Sequence, residues 1–422
     1  MVAPNIIPRA GHSISRQRID PDALKVLYRL HQADHVAYLV GGGVRDLLLD
    51  RRPKDFDIGT SAHPYQIKRL FRNCWIIGRR FRLAHVRYGQ KVIEVATFRR
   101  QVPAGSEEEP PTHVEPQATS SSAELHRDNT FGTPEEDAFR RDFTVNALFY
   151  DIGTFAILDY VGGLDDLEAR VIRCIGDPDA RFPEDPVRML RAITLASRLD
   201  FTIDEAVRTG ITRHRTLITQ SAPARLTEEC YKILRAGAAE RTFAQLVESG
   251  LTEGLIPELQ RDPPDALWQS LARLDAYRRR FTQVPESLTN AVLVGSLLVP
   301  LGFSEPPVRR SRTTTRRPRS PQVLLGTLPL PRRDMDELRE LLDLQPRLLD
   351  VGAPARSQRA VVHRRAFGAA LTWLEVHGDA PEVVDHWREA LHQGGPAEGP
   401  EPRRRRRRGR RGGSKRAKVK PD

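Results

Sequence analysis

The chain has little cysteine for its length. Among 422 residues there are 3 cysteines, Cys74, Cys174 and Cys230, and no two of them form a Cys-x-x-Cys pair. Such isolated thiols exclude a disulfide framework, and a zinc site is not expected without paired ligands. The cysteine content therefore predicts a protein of a reducing compartment, the cytoplasm.

Long hydrophobic runs are also missing. The most apolar segment, residues 291–303, is shorter and more interrupted than the roughly 20 residues that a membrane-spanning helix needs. The first residues contain no apolar stretch of the kind that signal peptides have. We therefore expect no membrane partner.

Two common nucleotide-binding fingerprints are absent as well. Neither the Gly-x-Gly-x-x-Gly pattern nor a Gly-Lys-Ser/Thr phosphate loop occurs in the sequence. Their absence disfavours the dinucleotide-binding fold and the P-loop fold, each of which depends on its glycine pattern to approach phosphate. Any nucleotide site in this chain must be built differently.

Positive charge is present in excess, and it is concentrated at one end. The net charge is +12, and residues 403–420 contain 12 Lys or Arg and no acid. Without that segment Lys plus Arg falls from 67 to 55, which equals the number of acidic residues. The segment cannot bury a core, so residues 392–422 are predicted to be disordered. The alternatives are a solubilising tail and an arm that binds a polyanion by releasing counterions.

Composition divides the rest of the chain into regions. Residues 1–24 are a polar leader, and a mixed α/β pattern runs to about residue 170. From there to residue 391 the apolar spacing is that of helices, for example in the run 187–199, which predicts a helical bundle. Residues 103–123 and the basic cluster 309–319 have no apolar periodicity and are predicted to be unstructured.

The most informative segment is residues 39–60, LVGGGVRDLLLDRRPKDFDIGT. It predicts a buried strand, a turn containing Gly41 and Gly42 that lets the backbone approach a ligand, and a helix from about Val44. Free N–H groups at the start of that helix would point at phosphate oxygens, and Arg45 supplies a fork-shaped cation suited to phosphate.

Two aspartates follow in the same segment. Asp55 and Asp57 are two residues apart on a predicted strand, so their side chains should share one face. Neighbouring carboxylates repel unless a cation lies between them, and Mg²⁺ prefers oxygen ligands and substrate phosphates. Two such ions about 4 Å apart activate a hydroxyl and stabilise the leaving group. The segment therefore predicts a metal-dependent nucleotidyltransferase.

Two further clusters carry charged candidates. Glu94 is the single acid of the strand-like run VIEVATF, where it is either a third metal ligand or an exposed edge-strand residue. In the run RRDFTVNAL, Arg141 is a candidate for triphosphate contact. Asp142 either completes the acidic site or fixes that arginine, and an Arg–Asp pair that caps the next helix is the alternative.

A last candidate cluster is the run EDPVRMLR. Asp185, Arg188 and Arg191 follow at three-residue steps and would share one stripe of a helix. Such a stripe offers acceptors and donors that can read a base edge or hold phosphates. Ordinary surface ion pairing is the alternative.

These segments together resemble a known family. The motifs, in order, are LVGGGVRDLLL, KDFDIGT, IEVATFR, RRDFTVNAL, YVGGLDDL, EDPVRMLRA and PARLTEECYKIL. The set is similar to the class II tRNA nucleotidyltransferases and bacterial poly(A) polymerases, and it spans residues 38–234. Residues 76–86, IIGRRFRLAHV, resemble the poly(A) polymerase branch more than the CCA-adding branch.

The resemblance implies an α+β fold. A polymerase β-like head with a mixed sheet would occupy residues 25–170, a helical neck residues 171–240 and a helical RNA-binding body residues 241–391. It implies that Asp55, Asp57 and Glu94 bind Mg²⁺ and that Asp142 belongs to the active site. Contacts to the nucleotide are implied for a larger set, namely Gly41, Gly42, Arg45, Arg141, Arg188 and Arg191, with Asp185 helping to present a protein template to the base.

The function implied is addition of AMP from ATP to RNA 3′ ends, without a nucleic-acid template, by a monomer. The RNA-binding candidates in the tail are Arg403, Arg404, Arg405, Arg406, Arg407, Arg408, Arg410 and Arg411. A CCA-adding tRNA nucleotidyltransferase is the alternative enzyme, since it shares the same head. A non-catalytic RNA-binding protein is the other alternative, and the presence of every expected carboxylate disfavours it.

Overall fold

The structure of the chain is a computed structural model that describes residues 3–78, 82–100, 131–260, 262–302 and 323–393. Three of the sequence predictions fall outside these residues. They are the unstructured segment 103–123, the basic cluster 309–319 and the basic tail with its arginines from Arg403 to Arg411.

One mixed sheet organises the amino-terminal half. The strand order across it is β1-β8-β7-β2-β3-β6-β5-β4, and β3 pairs with β6 in parallel while the other neighbours are antiparallel. The strands are β1 (Asn5–Ile7), β2 (Ala37–Val40), β3 (Asp57–Thr60), β4 (Cys74–Ile77), β5 (Leu83–Tyr88), β6 (Lys91–Thr97), β7 (Leu148–Asp151) and β8 (Ile157–Asp159).

The helices of the head lie on the sheet or connect its strands. They are α1 (Pro21–His31), α2 (Gly42–Leu48), α3 (Pro64–Leu70), α4 (Pro134–Phe139) and α5 (Gly163–Ala169). α1 and α3 contact β2, β3, β4 and β5 and cover one face of the sheet. Buried and exposed residues alternate along β5, where Ala84 and Val86 are buried and Arg87 is exposed, as expected for a sheet with one covered face.

The opposite face of the sheet is covered only in part. A small apolar cluster packs there against β2, β7 and β8, and it consists of Val40, Phe98, Ala138, Ala147, Phe149 and Ile175. Beyond it, the side chains of β6 and β4 on this face are exposed, among them Glu94 and Trp75. Among the residues that the structure describes, nothing covers this face over β3, β6, β5 and β4, and we call that region the open face.

The polar leader is part of the head. Asn5–Ile7 forms β1 and pairs with β8, and Ile14 and Ile19 are buried in the main core. Parts of the predicted polar leader, residues 1–24, thus pack with the head. The sequence did not indicate this packing, because a three-residue edge strand and two isolated isoleucines give no periodic hydrophobic pattern.

Helices dominate the remainder of the chain. They are α6 (Pro178–Glu184), α7 (Val187–Leu199), α8 (Glu205–His214), α9 (Pro223–Arg235), α10 (Ala239–Glu248), α11 (Thr252–Leu255), α12 (Asp265–Arg279), α13 (Asn290–Leu298), α14 (Arg332–Leu349), α15 (Ala355–Val362), α16 (Phe367–His377) and α17 (Pro381–Gln393). The predicted α+β class, a mixed-sheet head followed by helical domains, is confirmed. Two short strand pairs interrupt the helices, β9 (Val171–Ile172) with β10 (Thr202–Ile203) and β11 (Leu324–Leu325) with β12 (Leu328–Pro329).

Packing of apolar stripes holds these helices together. Val187, Leu190 and Ile193 of α7 are buried, as their spacing predicts. α13 is buried on nearly every side and contacts α9, α12, α14 and α16, which explains why residues 291–303 are the most apolar of the chain. In the described ranges no helix combines the length and the apolar character needed to cross a membrane.

Candidate active site

The glycine turn lies where β2 ends and α2 begins. Gly41 has φ +72° and ψ −137°, a backbone conformation that side chains other than hydrogen disfavour. A Cβ on Gly41 would lie 3.0 Å from Nη1 of Arg141, so the guanidinium approaches the turn directly. The Gly41 N–H donates to the carbonyl of Leu148 (3.1 Å), which ties the turn to β7.

Arg45 lies behind this turn. Its side chain is buried and donates to Oδ1 of Asp46 from Nε (2.9 Å) and Nη2 (2.6 Å), and to the side-chain oxygen of Asn146. Nη2 is 3.3 Å from where a Gly42 Cβ would be. Burial lowers the pKa of Arg45, and the Asp46 charge opposes that change. Arg45 therefore supports the turn from below, and its charge acts on a ligand through the turn.

Two of the predicted carboxylates, Asp57 and Glu94, are neighbours on the open face, and we call this pair the acidic centre. β3 and β6 run parallel with Ile58 opposite Val95, so Asp57 and Glu94, one residue earlier on each strand, are neighbours on one face. Although Asp57 keeps solvent contact, protein surrounds most of its carboxyl. This desolvation, with repulsion from Glu94 and Asp55, raises the pKa of Asp57 to about 6, while Arg141 acts in the opposite direction.

Asp55 is placed differently from the prediction. β3 begins at Asp57, so Asp55 precedes the strand and does not share its alternation. Its side chain is 70% exposed and lies 3.5 Å from Nζ of Lys54. The negative charge of Asp55 is nevertheless close enough to raise the pKa of Asp57.

The acidic centre can take a divalent cation only if further ligands join it. Among the described residues, no three His, Cys, Asp or Glu side chains form a ready-made metal site. The donors are nevertheless of the right kind, because Asp57 and Glu94 are hard oxygen ligands whose mutual repulsion a cation would relieve. Asp55 adds a third such ligand if its side chain turns inward, and Mg²⁺ often completes its shell with water and substrate phosphates.

His85 is a neighbour of this centre that sequence reasoning left without a role. It stands opposite Glu94 on β5, with Nε2 3.5 Å from Oε1 of Glu94. The signal in the sequence is weak, since a single histidine within a strand is usually a packing residue. Only the strand register brings His85 to Glu94.

Arg141 faces the acidic centre and is held by Asp137. Nε and Nη2 donate to Oδ2 of Asp137 (3.1 and 2.9 Å), and Nη1 donates to the Asn146 carbonyl (3.1 Å). Asp137 also accepts from Nε of Arg140 (2.9 Å). Burial alone would raise the pKa of Asp137, but the two arginines hold it below its ordinary value. Asp137 was missed because its segment, PEEDAF, reads as the acidic first turn of a helix.

Asp142 contacts an arginine of the neck and does not join the acidic centre. Its Oδ2 is 2.6 Å from Nη2 of Arg191, an ion pair without hydrogen-bond alignment, and Oδ1 accepts from the Phe143 N–H (2.8 Å) and from Nδ2 of Asn146 (3.2 Å). Burial would raise the pKa of Asp142, yet Arg191 and these donors keep it low. Of the two predicted roles, its contacts favour fixing an arginine, although that arginine is Arg191 and not Arg141.

The predicted stripe of Asp185, Arg188 and Arg191 needs one correction. α7 begins at Val187, and Asp185 has an extended backbone outside the helix. Its two carboxylate oxygens accept from Nη1 and Nη2 of Arg225 (2.9 and 2.8 Å). Proline at position 186 explains the break, since it disfavours helical geometry in the residue before it.

The two arginines of the stripe have different partners. Nη1 of Arg188 donates to Oε2 of Glu184 (3.0 Å) and to the Arg181 carbonyl (2.8 Å). Arg191 instead points to Asp142 of the head. The stripe is thus divided between an ion pair within the neck and a contact between the neck and the head.

A second ion pair joins the same two regions. Nη2 of Arg198 lies 3.3 Å from both carboxylate oxygens of Asp46, and Arg51 donates to the carbonyls of Arg198 and Leu199 (3.1 and 3.2 Å). Since Arg191 and Arg198 are about two turns apart, α7 contacts the head along one side. Asp46 and Arg198 were missed because a charged pair distant in sequence has no local signature.

Two known families match parts of the chain. The family described as "Poly A polymerase head domain" matches residues 37–173, and "Probable RNA and SrmB- binding site of polymerase A" matches residues 200–262. The first match contains the glycine turn, the acidic centre and Asp142.

Individual relatives agree with the family matches. Poly(A) polymerase I of Salmonella typhi is 52% identical over 256 residues, which are 61% of this chain and 54% of that protein. The CCA-adding enzyme of Bacillus velezensis is 28% identical over 341 residues, 80% of this chain and 76% of that protein. The chain thus spans about half the length of the poly(A) polymerases that it matches.

A solved structure has the same fold. The crystal structure of Bacillus stearothermophilus CCA-adding enzyme in complex with CTP superposes with a TM-score of 0.58 at 26% identity, covering 89% of this chain and 83% of that one. Motif order and sequence identity agree, and the chain is similar to bacterial poly(A) polymerases and tRNA nucleotidyltransferases.

Proposed function

We propose that this protein is a poly(A) polymerase that adds AMP from ATP to RNA 3′ ends without a nucleic-acid template and releases pyrophosphate. The observation that carries the proposal is the pairing of Asp57 and Glu94 on adjacent parallel strands, beside a glycine turn that Arg141 approaches. Acidic ligands and a backbone turn with a cation beside it are parts that nucleotidyl transfer needs. The 52% identity to a poly(A) polymerase supports the choice of AMP.

Asp55, Asp57 and Glu94 would hold Mg²⁺. When bound, the metal ions supply Lewis-acid activation of the RNA 3′-hydroxyl and stabilise charge on the transferred phosphoryl group. Because the pKa of Asp57 is raised to about 6, its proton must leave before it can act as a ligand. His85 orients Glu94 from the neighbouring strand.

The triphosphate would lie against the turn at Gly41 and Gly42. Arg141 offers its guanidinium there and is held by Asp137, so little side-chain freedom is lost when phosphate binds. Arg45 supports the same turn from behind. Positioning and fixed charge are the contributions expected of the protein in phosphoryl transfer.

The base would be read by the neck. Arg191 lies beside Asp142 and keeps about half of its side chain open, whereas Arg188 is largely enclosed and Asp185 is engaged by Arg225. We assign base recognition to the set Asp185, Arg188 and Arg191, in which Arg191 is the accessible member and is positioned by Asp142, while Asp185 and Arg188 must exchange their present partners for the base. Asn146 donates to Asp142 and accepts from Arg45, so one chain of hydrogen bonds links the residue that positions Arg191 with the residue that supports the glycine turn.

RNA and its cellular context complete the proposal. The tail arginines from Arg403 to Arg411 would bind RNA phosphates without base selectivity. The protein would act as a monomer in the cytoplasm, in mRNA processing by polyadenylation. Its three cysteines are buried and free, which suits a reducing compartment.

One assay separates this function from CCA addition. The purified chain is incubated with RNA and Mg²⁺, with ATP alone in one reaction and CTP alone in another. Long A tracts on any RNA 3′ end support the proposal, whereas CMP incorporation restricted to tRNA lacking its terminal CCA would replace it with the alternative. The lower identity of the CCA-adding relative, 28% against 52%, is the reason for preferring the first outcome.

A further inference from the structure

The outer edge of the open face carries two large exposed apolar side chains. β4 is the last strand of the sheet, and Trp75 and Ile77 on it are 52% and 48% exposed. The alternate residue Cys74 is buried on the covered face. β4 thus packs on the core through Cys74, and Trp75 faces solvent on the opposite face of the strand.

Strand register places this tryptophan in line with the acidic centre. Trp75 is opposite His85, and His85 is opposite Glu94. The parallel pairing of β3 and β6 puts Asp57 next in the same row. Residues in register on adjacent strands point to one face and are about 4.8 Å apart, so the Trp75 backbone lies about 10 Å from that of Glu94.

Its register with Glu94, and not its exposure alone, makes this tryptophan a candidate for binding. A tryptophan side chain buries roughly 150–250 Å² when it is covered, and such groups contribute strongly to interfaces. Two kinds of occupant fit an exposed aromatic on an edge strand. One is a flat ring stacked on the indole, and the other is another protein strand paired with the free edge.

The surroundings favour a nucleobase. A row that begins at the candidate metal ligands and ends at an indole suits the end of a chain whose terminal hydroxyl must reach those ligands. Arg87 lies on the same face of β5 and is exposed, so it offers a cation to the phosphates of that chain. Stacking on an aromatic ring is tolerant of base identity, because every base has a π-face. An enzyme that extends RNA without a template needs that tolerance.

We propose that Trp75 is a stacking platform for a base near the 3′ end of the RNA substrate, with Ile77 extending its apolar surface. This proposal rests on the proposed function, because it takes the acidic centre as the place where the 3′-hydroxyl reacts. It assigns to the head a contact with the RNA end that is separate from the basic tail. The open face then binds RNA from Trp75 inward to Glu94.

The test compares Trp75→Ala and Trp75→Phe with wild type in the full chain. The KM for a short unstructured RNA is measured at saturating ATP, and the affinity for the same labelled RNA is measured by fluorescence anisotropy without ATP. Trp75→Ala should raise both the KM and the Kd for RNA by about 5- to 150-fold, the equivalent of removing one base stack. The KM for ATP should not follow, and Trp75→Phe should restore much of the affinity.

Tyr65→Ala is the matched control. Tyr65 is 62% exposed on α3, which packs on the covered face, so its removal deletes an exposed aromatic ring away from the row. An RNA affinity that is unchanged in Trp75→Ala, or reduced equally in Tyr65→Ala, would overturn the proposal. Trp75→Ala could also change the sedimentation of the RNA-free protein and leave the RNA affinity unchanged. That result would overturn the proposal too, because it would identify Trp75 as a contact between copies of the chain.

The two proposals fail in different ways. If wild type incorporates no AMP, the proposed function is refuted by that reaction alone. The anisotropy measurement needs no catalysis, so it still decides whether Trp75 binds RNA.

Discussion

Asn146 links the glycine turn of the candidate active site to the neck residue Arg191, and its removal should affect both. The side-chain oxygen of Asn146 accepts from Arg45, and its amide nitrogen donates to Asp142 at 3.2 Å. Arg45 supports the glycine turn, while Asp142 holds Arg191 of the neck. Asn146→Ala deletes both hydrogen bonds and leaves the backbone in place.

The expected size of the effect follows from the partners that remain. A hydrogen bond to an ionised group contributes about 1.5–3 kcal/mol, and both partners of Asn146 are ionised. Asp142 keeps Arg191, Arg45 keeps Asp46, and water can reach the half-buried site. We therefore expect a loss of about 2–4 kcal/mol in the free energy of unfolding. A less rigid Arg45 should also lower kcat/KM for ATP by about 10- to 100-fold, or about 1.4–2.7 kcal/mol in transition-state binding.

The chain contains a matched control for this variant. Asn290, also half-buried, accepts from Nη2 of Arg235 (2.5 Å) and donates to Oδ2 of Asp334 (3.2 Å), far along the chain in the body. Urea unfolding should show similar losses for Asn146→Ala and Asn290→Ala, whereas steady-state kinetics should show the ATP effect for Asn146→Ala alone. If both variants have wild-type kcat/KM for ATP, or both lose it equally, Asn146 does not couple the two sides of the site.

Three further predictions concern other parts of the molecule. Asp57→Asn should abolish AMP incorporation. Because the pKa of Asp57 is raised from 3.8 to about 6, its ionisation destabilises the fold progressively between these two pH values and fully above the second. The variant should therefore unfold at a higher temperature than wild type in EDTA at neutral pH. Mg²⁺ should raise the Tm of wild type and not of the variant, and equal shifts would argue against the metal site. Burial lowers the pKa of His377 to about 4, with Arg273 adding to the effect and Asp379 opposing it. The contribution of His377 to the free energy of unfolding should therefore be full above about pH 6.5 and should fall towards pH 4 by up to ~1.4 kcal/mol per pH unit. His377→Gln can keep the hydrogen bond to Ser296 and should reduce the pH dependence of the free energy of unfolding, measured by urea unfolding. An unchanged pH dependence would show that other groups cause it. Deleting residues 403–422 should weaken RNA binding and reduce the slope of log K against log salt by roughly 0.7 for each RNA phosphate that the tail neutralises, and an unchanged slope would exclude the tail from RNA binding.

Local patterns in the sequence determined much of the fold. The run 187–199 has helical spacing and a proline before it, and α7 covers the same residues. The glycine turn was predictable because Gly41 needs a backbone conformation that few other residues adopt. Ordered motifs were enough to predict the similarity to poly(A) polymerases and tRNA nucleotidyltransferases, since their chemistry lies in short segments.

Other features depend on contacts between distant segments. Asp55 and Asp57 were expected to share a strand face, but the strand begins at Asp57, where pairing with β2 begins, and pairing with β6 begins one residue later at Ile58. β1 belongs to the sheet because it pairs with the edge of β8. No pattern within residues 1–24 indicates this pairing.

The amino-acid sequence by itself determined the residue types of the site, the glycine turn and the helices, because these follow from conformational preference and spacing along one segment. The tertiary structure decided which charges meet. Parallel pairing of β3 with β6 brings Glu94 to Asp57, and docking of α7 brings Arg191 to Asp142 and Arg198 to Asp46. Such pairings depend on strand register and helix packing between segments far apart in the chain, and a shift of one residue would turn each strand's side chains to the other face.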